Sequence, residues 1–360
     1  MKTTYAHMGT SSIVFQSLLE DLGHEVIVPP QPTKKTLSLG TQYSPEFACI
    51  PFKIVLGNYL ETLPKGVDTI VSGGGKGPCR AGYYGELHIR IIRDLGYDPE
   101  MIFFWPPLKT PIDFMKKVKR LKGNNSWKAL WHYLKINWEK LKALDDVELG
   151  AHQLRPRELK RGEATRAMEK GLKYIKEART MSEILEARES GLRELAKVAQ
   201  NPNREVLKIG IIGEIYVQLE PFVNFTIEET LGNMGAVVRR SIFLTQFMRD
   251  DVFATGSKDI KKLAAPYLSQ KIGGHGQNSI GETVHYAAQG YDGVIQLAPF
   301  TCIPEIVAKS IMPKLSRDLD IPVLTLFIDE QTGKTGVETR LEAFIDLLWQ
   351  KKRQGQKEVV

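Results

Sequence analysis

Apolar positions along the first hundred residues fall into short runs separated by stretches of helical spacing. Residues 3 to 8 read as a strand, and Gly9-Thr10-Ser11 supplies a turn and a cap. Ile13, Phe15, Leu18 and Leu19 then share one side of a helix over Ser12 to Leu22. Gly23 ends that helix, and Glu25 to Val28 forms a second strand stopped by Pro29-Pro30. A helix over Pro51 to Leu63, a strand over Asp68 to Ser72, a helix over Tyr83 to Leu95 and a strand over Met101 to Trp105 follow. Strand–helix–strand order of this kind predicts a parallel α/β sheet.

Strand signals vanish between residues 111 and 204. Long amphipathic stretches replace them, with Trp127, Leu130, Trp131, Tyr133, Leu134, Ile136 and Trp138 in one cluster. The helical spacing of these aromatics is read as core packing, and the segment as a lid or spacer between two α/β units. The α/β pattern restarts at Val206 to Gly213, with a helix over Val223 to Gly232 and a strand over Gly235 to Val238. Strands at Gly293 to Leu297 and Pro322 to Phe327 and a helix over Glu338 to Gln350 complete it. Leu22-Gly23-His24-Glu25-Val26 and Met234-Gly235-Ala236-Val237-Val238 suggest that the two α/β halves are divergent copies. The predicted organisation is thus two Rossmann-like (flavodoxin-like) parallel-sheet domains facing each other across a cleft. They span residues 1–110 and 205–350, with a helical insert at 111–204 and a charged, frayed tail at 351–360.

Composition narrows the class. Of 360 residues, 42% are hydrophobic and 25% charged, which fits a folded chain of two or three domains. No run is apolar and long enough to span a bilayer, and the first residues lack a signal-peptide core, so a cytoplasmic protein is expected. The net charge is +7, yet the insert holds about 22 Lys and Arg against about 13 Asp and Glu, roughly +9. A single basic module between near-neutral flanks argues against a general nucleic-acid coat.

The chemistry concentrates on three cysteines, too few for a disulfide framework in that compartment. Gly66-Val67-Asp68 opens a strand and a Gly-rich loop that delivers Cys79; Gly290-Tyr291-Asp292 opens a strand whose loop delivers Cys302. Cys49 begins Cys49-Ile50-Pro51-Phe52, and Cys302 begins Cys302-Ile303-Pro304-Glu305. Ligands of doubly wound sheets gather beyond the carboxyl ends of the strands, so the three thiolates are expected to meet between the domains. Soft thiolates suit iron–sulfur clusters, zinc or copper. Three of them on an iron–sulfur cube leave one iron open. Gly73-Gly74-Gly75 allows close backbone approach, and Arg80, Lys76 and Lys53 are candidates to balance an anionic centre. Lys76-Gly77-Pro78 departs from the Gly-Lys-Ser/Thr of a phosphate loop. Gly273-Gly274-His275-Gly276 has no strand before it, and His275 is a minor candidate metal ligand.

Several motifs together resemble one superfamily. They are Ser44-Pro45-Glu46-Phe47-Ala48-Cys49-Ile50-Pro51-Phe52-Lys53, Gly77-Pro78-Cys79-Arg80 with Gly82-Tyr83-Tyr84-Gly85, and Pro299-Phe300-Thr301-Cys302-Ile303-Pro304-Glu305. Gly213-Glu214-Ile215-Tyr216 and Thr339-Arg340-Leu341-Glu342-Ala343-Phe344 extend the likeness. The chain is similar to 2-hydroxyacyl-CoA dehydratase subunits, double-cubane cluster proteins and the related CoA protein activase domains, nearest in its motifs to the last. The resemblance implies that Cys49, Cys79 and Cys302 ligate a [4Fe–4S] cluster with a free iron position, with Lys53 and Arg80 beside it. It implies an ATP-hydrolysing iron–sulfur activator as electron donor. An acyl-CoA or small molecule would be the substrate, for dehydration or reduction. A double cubane would need further cysteines, so a homodimer or heterodimer would have to complete it. The chain lacks the actin-like ATPase module of the activators, so ATP hydrolysis is not expected of it. Two other classes stand beside this one: a non-catalytic cluster carrier docking its activator through the basic insert, and a zinc or metal-free protein whose insert binds nucleic acid.

Overall fold

The computed structural model describes residues 1–74, 79–104, 110–249 and 258–357. Its first half contains β1 (Lys2–Tyr5), α1 (Ser12–Asp21), β2 (Glu25–Val26), α2 (Lys34–Tyr43), α3 (Ile50–Thr62), β3 (Thr69–Gly73), α4 (Tyr84–Asp94) and β4 (Glu100–Phe104). The insert contributes α5 (Pro111–Lys122), α6 (Trp127–Leu154), α7 (Glu163–Glu177) and α8 (Met181–Ala196). The second half begins with β5 (Leu207–Gly213), α9 (Ile215–Leu219), α10 (Pro221–Asn224), α11 (Ile227–Asn233), β6 (Ala236–Arg240), α12 (Leu244–Phe247) and α13 (Lys258–Ala264). It ends with α14 (Gly276–Ala288), β7 (Gly293–Pro299), α15 (Ile303–Asp318), β8 (Val323–Ile328) and α16 (Lys334–Lys357).

Both sheets are wholly parallel and wound alike, in the orders β2-β1-β3-β4 and β6-β5-β7-β8. The strand order reverses between β1 and β3 in one half and between β5 and β7 in the other. Those are the switch points where such folds bind ligands. The repeated Gly-x-Asp motif has the same task in each half. Gly66 and Gly290 turn with φ of 84° and 68°, which a glycine adopts without strain. Asp68 then accepts a hydrogen bond from the Lys2 backbone N–H (3.0 Å), and Asp292 accepts one from that of Lys208 (2.7 Å). Each carboxylate thus ties the central strand before a cysteine loop to the first strand of its sheet.

The halves are joined by a shared apolar core. Helix α3 is buried on nearly every side, as its almost continuous apolar sequence requires, and packs in one cluster with Leu207, Ile209, Val217, Val223 and Leu297 of the second half. Gly9 (φ 52°) lets the loop after β1 lie against α9, where an added Cβ would stand 2.1 Å from the Leu219 carbonyl oxygen. His7 and Glu220 meet across the junction at 2.7 Å, and the Tyr216 hydroxyl donates to the His7 carbonyl. The insert bridges the same junction. Its core takes in Val14 of α1 and Leu244 of α12. Arg240 of β6 forms a buried pair with Glu148 of α6 and another with Glu228.

Several expectations change. Trp127 and Trp131 are exposed, with Lys122 and Lys135 over their rings, because their spacing puts them on the side of α6 opposite buried Ile136. The helix expected over Val223 to Gly232 is broken, since Phe225 and Thr226 adopt left-handed backbone angles between α10 and α11. Helix α2 had no counterpart in the apolar pattern. It is polar, and a reciprocal Thr33–Thr36 capping box starts it. The tail does not fray at Lys351: α16 continues to Lys357, and Lys351 and Lys352 pair with Asp320 and Asp292. The Gly75-Lys76-Gly77-Pro78 part of the Gly-rich loop and the Trp105-Pro106-Pro107 stop lie outside the described residues.

Candidate functional site

Each of the three cysteines caps the start of a helix. Cys49 precedes α3, Cys302 precedes α15, and Cys79 precedes a short 3-10 helix, Arg80–Tyr83. All three have extended backbone angles, and none of the three thiols is used as a side-chain cap. The sequence dictates this locally. Pro51 and Pro304 stand in the first turn of their helices, where a missing N–H costs nothing. A backbone N–H acts on each thiol, that of Phe52 on Cys49, of Ala81 on Cys79 and of Glu305 on Cys302.

The three loops converge. The Phe47 carbonyl, two residues before Cys49, accepts from Arg80 Nη1 (2.8 Å) and from the Thr301 hydroxyl (3.1 Å). Arg80 also donates to the Thr301 carbonyl. One guanidinium and one carbonyl therefore knot together the segments carrying Cys49, Cys79 and Cys302. The Tyr84 hydroxyl contacts Cys49 Sγ. Glu214, at the cap of α9 just after β5, acts electrostatically on all three thiols, and the Cys49 charge acts on Cys302.

Burial dominates the electrostatics. It pushes the Cys49 thiol up to about 11, with the Tyr84 hydroxyl pulling against it. Burial also raises Cys79, and burial followed by Glu305 raises Cys302 well above the ordinary thiol range. Burial lifts Glu305 to about 7, although its carboxylate accepts from Gln296 (2.8 Å) and Ser279 (3.1 Å). Burial thus favours the protonated form at all three thiols. A cation or cationic cluster core would have to displace those protons.

Arg80 lies between the segments that carry the three cysteines. Lys53 has a different task. It is buried, and its ammonium pairs with Glu330 at 2.6 Å and donates to the Glu46 carbonyl at 3.2 Å. It clamps the Cys49 loop to the turn after β8 rather than offering a spare charge. Among the described residues no three His, Cys, Asp or Glu side chains stand close enough to share one metal ion. Glu214, Tyr84 and Glu305 all lay inside motifs that were already singled out, but nothing in their spacing marked them as neighbours. Only the winding of the second sheet brings Glu214 to the cysteines. His275 also belongs to this neighbourhood, since it acts on both Glu214 and Glu305.

Among the described residues no helix is long and apolar enough to cross a membrane. A search of curated proteins finds no match to the chain. Residues 6–72 match the model of a family described as CoA enzyme activase uncharacterised domain, a stretch that runs from the end of β1 to β3 and includes Cys49 and its loop. The chain thus opens with a domain related to the CoA enzyme activases.

Proposed function

We propose that Cys49, Cys79 and Cys302 hold one [4Fe–4S] cluster, either alone or as half of a double cubane completed across a dimer. In this reading the chain accepts low-potential electrons from an ATP-hydrolysing activator. It works as a reductase or as a 2-hydroxyacyl-CoA dehydratase-like component. The observation that supports it is the convergence of three helix-capping thiols from three segments, knotted by Arg80. Soft thiolates suit an iron–sulfur cluster, and the thiolates of a cube sit on separate irons, so the three need not converge on one shared ion. When bound, the cluster supplies a one-electron centre with one iron open to an added ligand.

The protein's own residues do the rest. Backbone N–H groups at the starts of α3 and α15 face the thiolates and favour negative charge there. Arg80 holds the three loops in register while its guanidinium lies beside the anionic centre. Lys53 and Glu330 keep the Cys49 loop from swinging away. The apolar core behind α3 keeps water from the back of the site.

The test is iron, zinc and acid-labile sulfide content of protein purified without oxygen, with the electron paramagnetic resonance spectrum after reduction. About four irons and four sulfides per chain are expected. Cys79→Ala should lose most of both and the reduced-state signal. A fully loaded Cys79→Ala protein, or a wild type carrying only zinc, would sink the assignment.

One surface favours a second reading, in which the chain is a non-catalytic carrier that docks its activator. The exposed Trp127 and Trp131 with Lys122 and Lys135 form an apolar, basic face on the insert. Lys128→Glu with Lys135→Glu should then weaken activator binding about tenfold at low salt and less at high salt, measured by titration calorimetry. Unchanged affinity and salt dependence would remove this face from the interaction.

A further inference from the structure

The likeness of the two halves says what stands at the fourth side of the site. In the first half, a helix pair (α2 and α3) precedes the central strand β3, and Cys49 caps the second helix of the pair. In the second half, α13 and α14 form the corresponding pair before β7, and the residue capping α14 is His275. Both pairs cross closely through glycine: an added Cβ at Gly57 would lie 2.0 Å from the Thr36 carbonyl oxygen, and one at Gly281 would lie 2.1 Å from that of Ile260. The strand loops that follow deliver Cys79 and Cys302. Cys49 and Cys79 from one half are therefore matched by His275 and Cys302 from the other. Counted back from Asp68 and Asp292 the two caps differ by two residues, so the match is one of place in the fold.

The surroundings of His275 agree. An added Cβ on Gly274 would stand 2.8 Å from Pro304 Cγ and 3.8 Å from Cys79 Cβ, and one on Gly276 would stand 2.2 Å from the Pro304 carbonyl oxygen. The glycines on either side of His275 are thus pressed onto both cysteine-bearing loops. Gly273 and Gly274 have φ of 76° and 50°, the left-handed region, and this brings the chain round to the start of α14. His275 contacts the Phe247 ring, and Glu214 and Glu305 are both within its electrostatic reach.

We propose that His275 is the protein group facing the iron that the three cysteines leave open, and that it ligates that iron until an incoming molecule displaces it. A neutral ring gives the lone pair of one nitrogen and keeps its proton on the other, so ligation and displacement transfer neither electron nor proton. This rests on the cluster reading above.

The experiment is pulsed electron paramagnetic resonance on the full-length, anaerobically loaded and reduced protein, with and without ¹⁵N-histidine. A strong nitrogen coupling that changes with the label is expected in the wild type. It should be lost in His275→Ala, while three cysteines retain about four irons. His275→Cys should keep the irons and lose the coupling, giving the second half the same ligand as the first. A loaded wild type with no histidine coupling, or one whose coupling survives His275→Ala, overturns the assignment of His275 and leaves the cluster intact. A wild type without iron overturns the cluster reading and His275 with it.

Discussion

His88 shows how strongly single side chains here depend on their surroundings. It lies fully buried on α4, its ring 4.1 Å from that of Phe52 and its Nε2 3.1 Å from the Phe52 carbonyl oxygen. Burial lowers its pKa from 6.5 to about 3. The unfolded chain therefore binds one more proton between those values. The stability that a neutral His88 contributes is complete above about pH 6.5 and is lost as the pH falls toward 3. In His88→Gln the group cannot titrate. Urea unfolding should show the stability of wild type relative to His88→Gln falling by about 2 kcal/mol between pH 7.5 and pH 5. An offset that stays constant with pH would mean that the imidazole is charged in the fold. Nothing in the sequence around His88 announced this burial. Its neighbours Glu86 and Arg90 pair on the exposed side of the same helix.

At the level of elements, the sequence pattern located every strand among the described residues, most plainly β5 and β7, which are buried on both faces and read as nearly continuous apolar runs. It missed α2, α9, α12, α13 and α14, and also the break between α10 and α11; α2 and the break depend on caps and backbone angles rather than on apolar spacing. It also misread the face of α6 that carries Trp127 and Trp131. Helical spacing says that residues share a side, and only the tertiary partner says which side is covered. The crossing of α2 and α3 reaches the first turn of the helix that Cys49 caps. An added Cβ at Gly40 would lie 1.7 Å from the Lys53 carbonyl oxygen, in the first turn of the helix that Cys49 caps. Gly40→Ala should therefore cost about 1–3 kcal/mol in thermal or urea unfolding, and should move Cys49 enough to lower metal loading. Unchanged stability would show that the two helices have room to part.

For the whole molecule, specific polar ties add to the apolar core that the halves share. Lys53, only 2% exposed, pairs with Glu330 across 277 residues of sequence. Removing one partner of such a pair leaves a charge without its counterion. Lys53→Met should destabilise the fold by about 3 kcal/mol, and Lys53→Met with Glu330→Gln should recover a good part of that loss. If the double variant is no better than the single one, the pair is not the tie between halves. The candidate site was legible in the sequence as three cysteines in two related contexts. Their meeting was expected beyond the strand ends, but the contacts that hold it were not legible, because they depend on which edge of each sheet faces the other half. Arg80, Thr301 and Phe47 settle that across the junction.

The knot among Phe47, Arg80 and Thr301 also sets an order of events during synthesis. Two of the three thiols leave the ribosome within the first quarter of the chain, and the third follows only after more than two hundred further residues, the whole basic insert included. The first half can close its own sheet early, but its thiols have no third companion until Thr301 arrives. On the proposed cluster reading, a nascent chain that has not reached Cys302 offers two of the three ligands, so loading would follow synthesis of the second half.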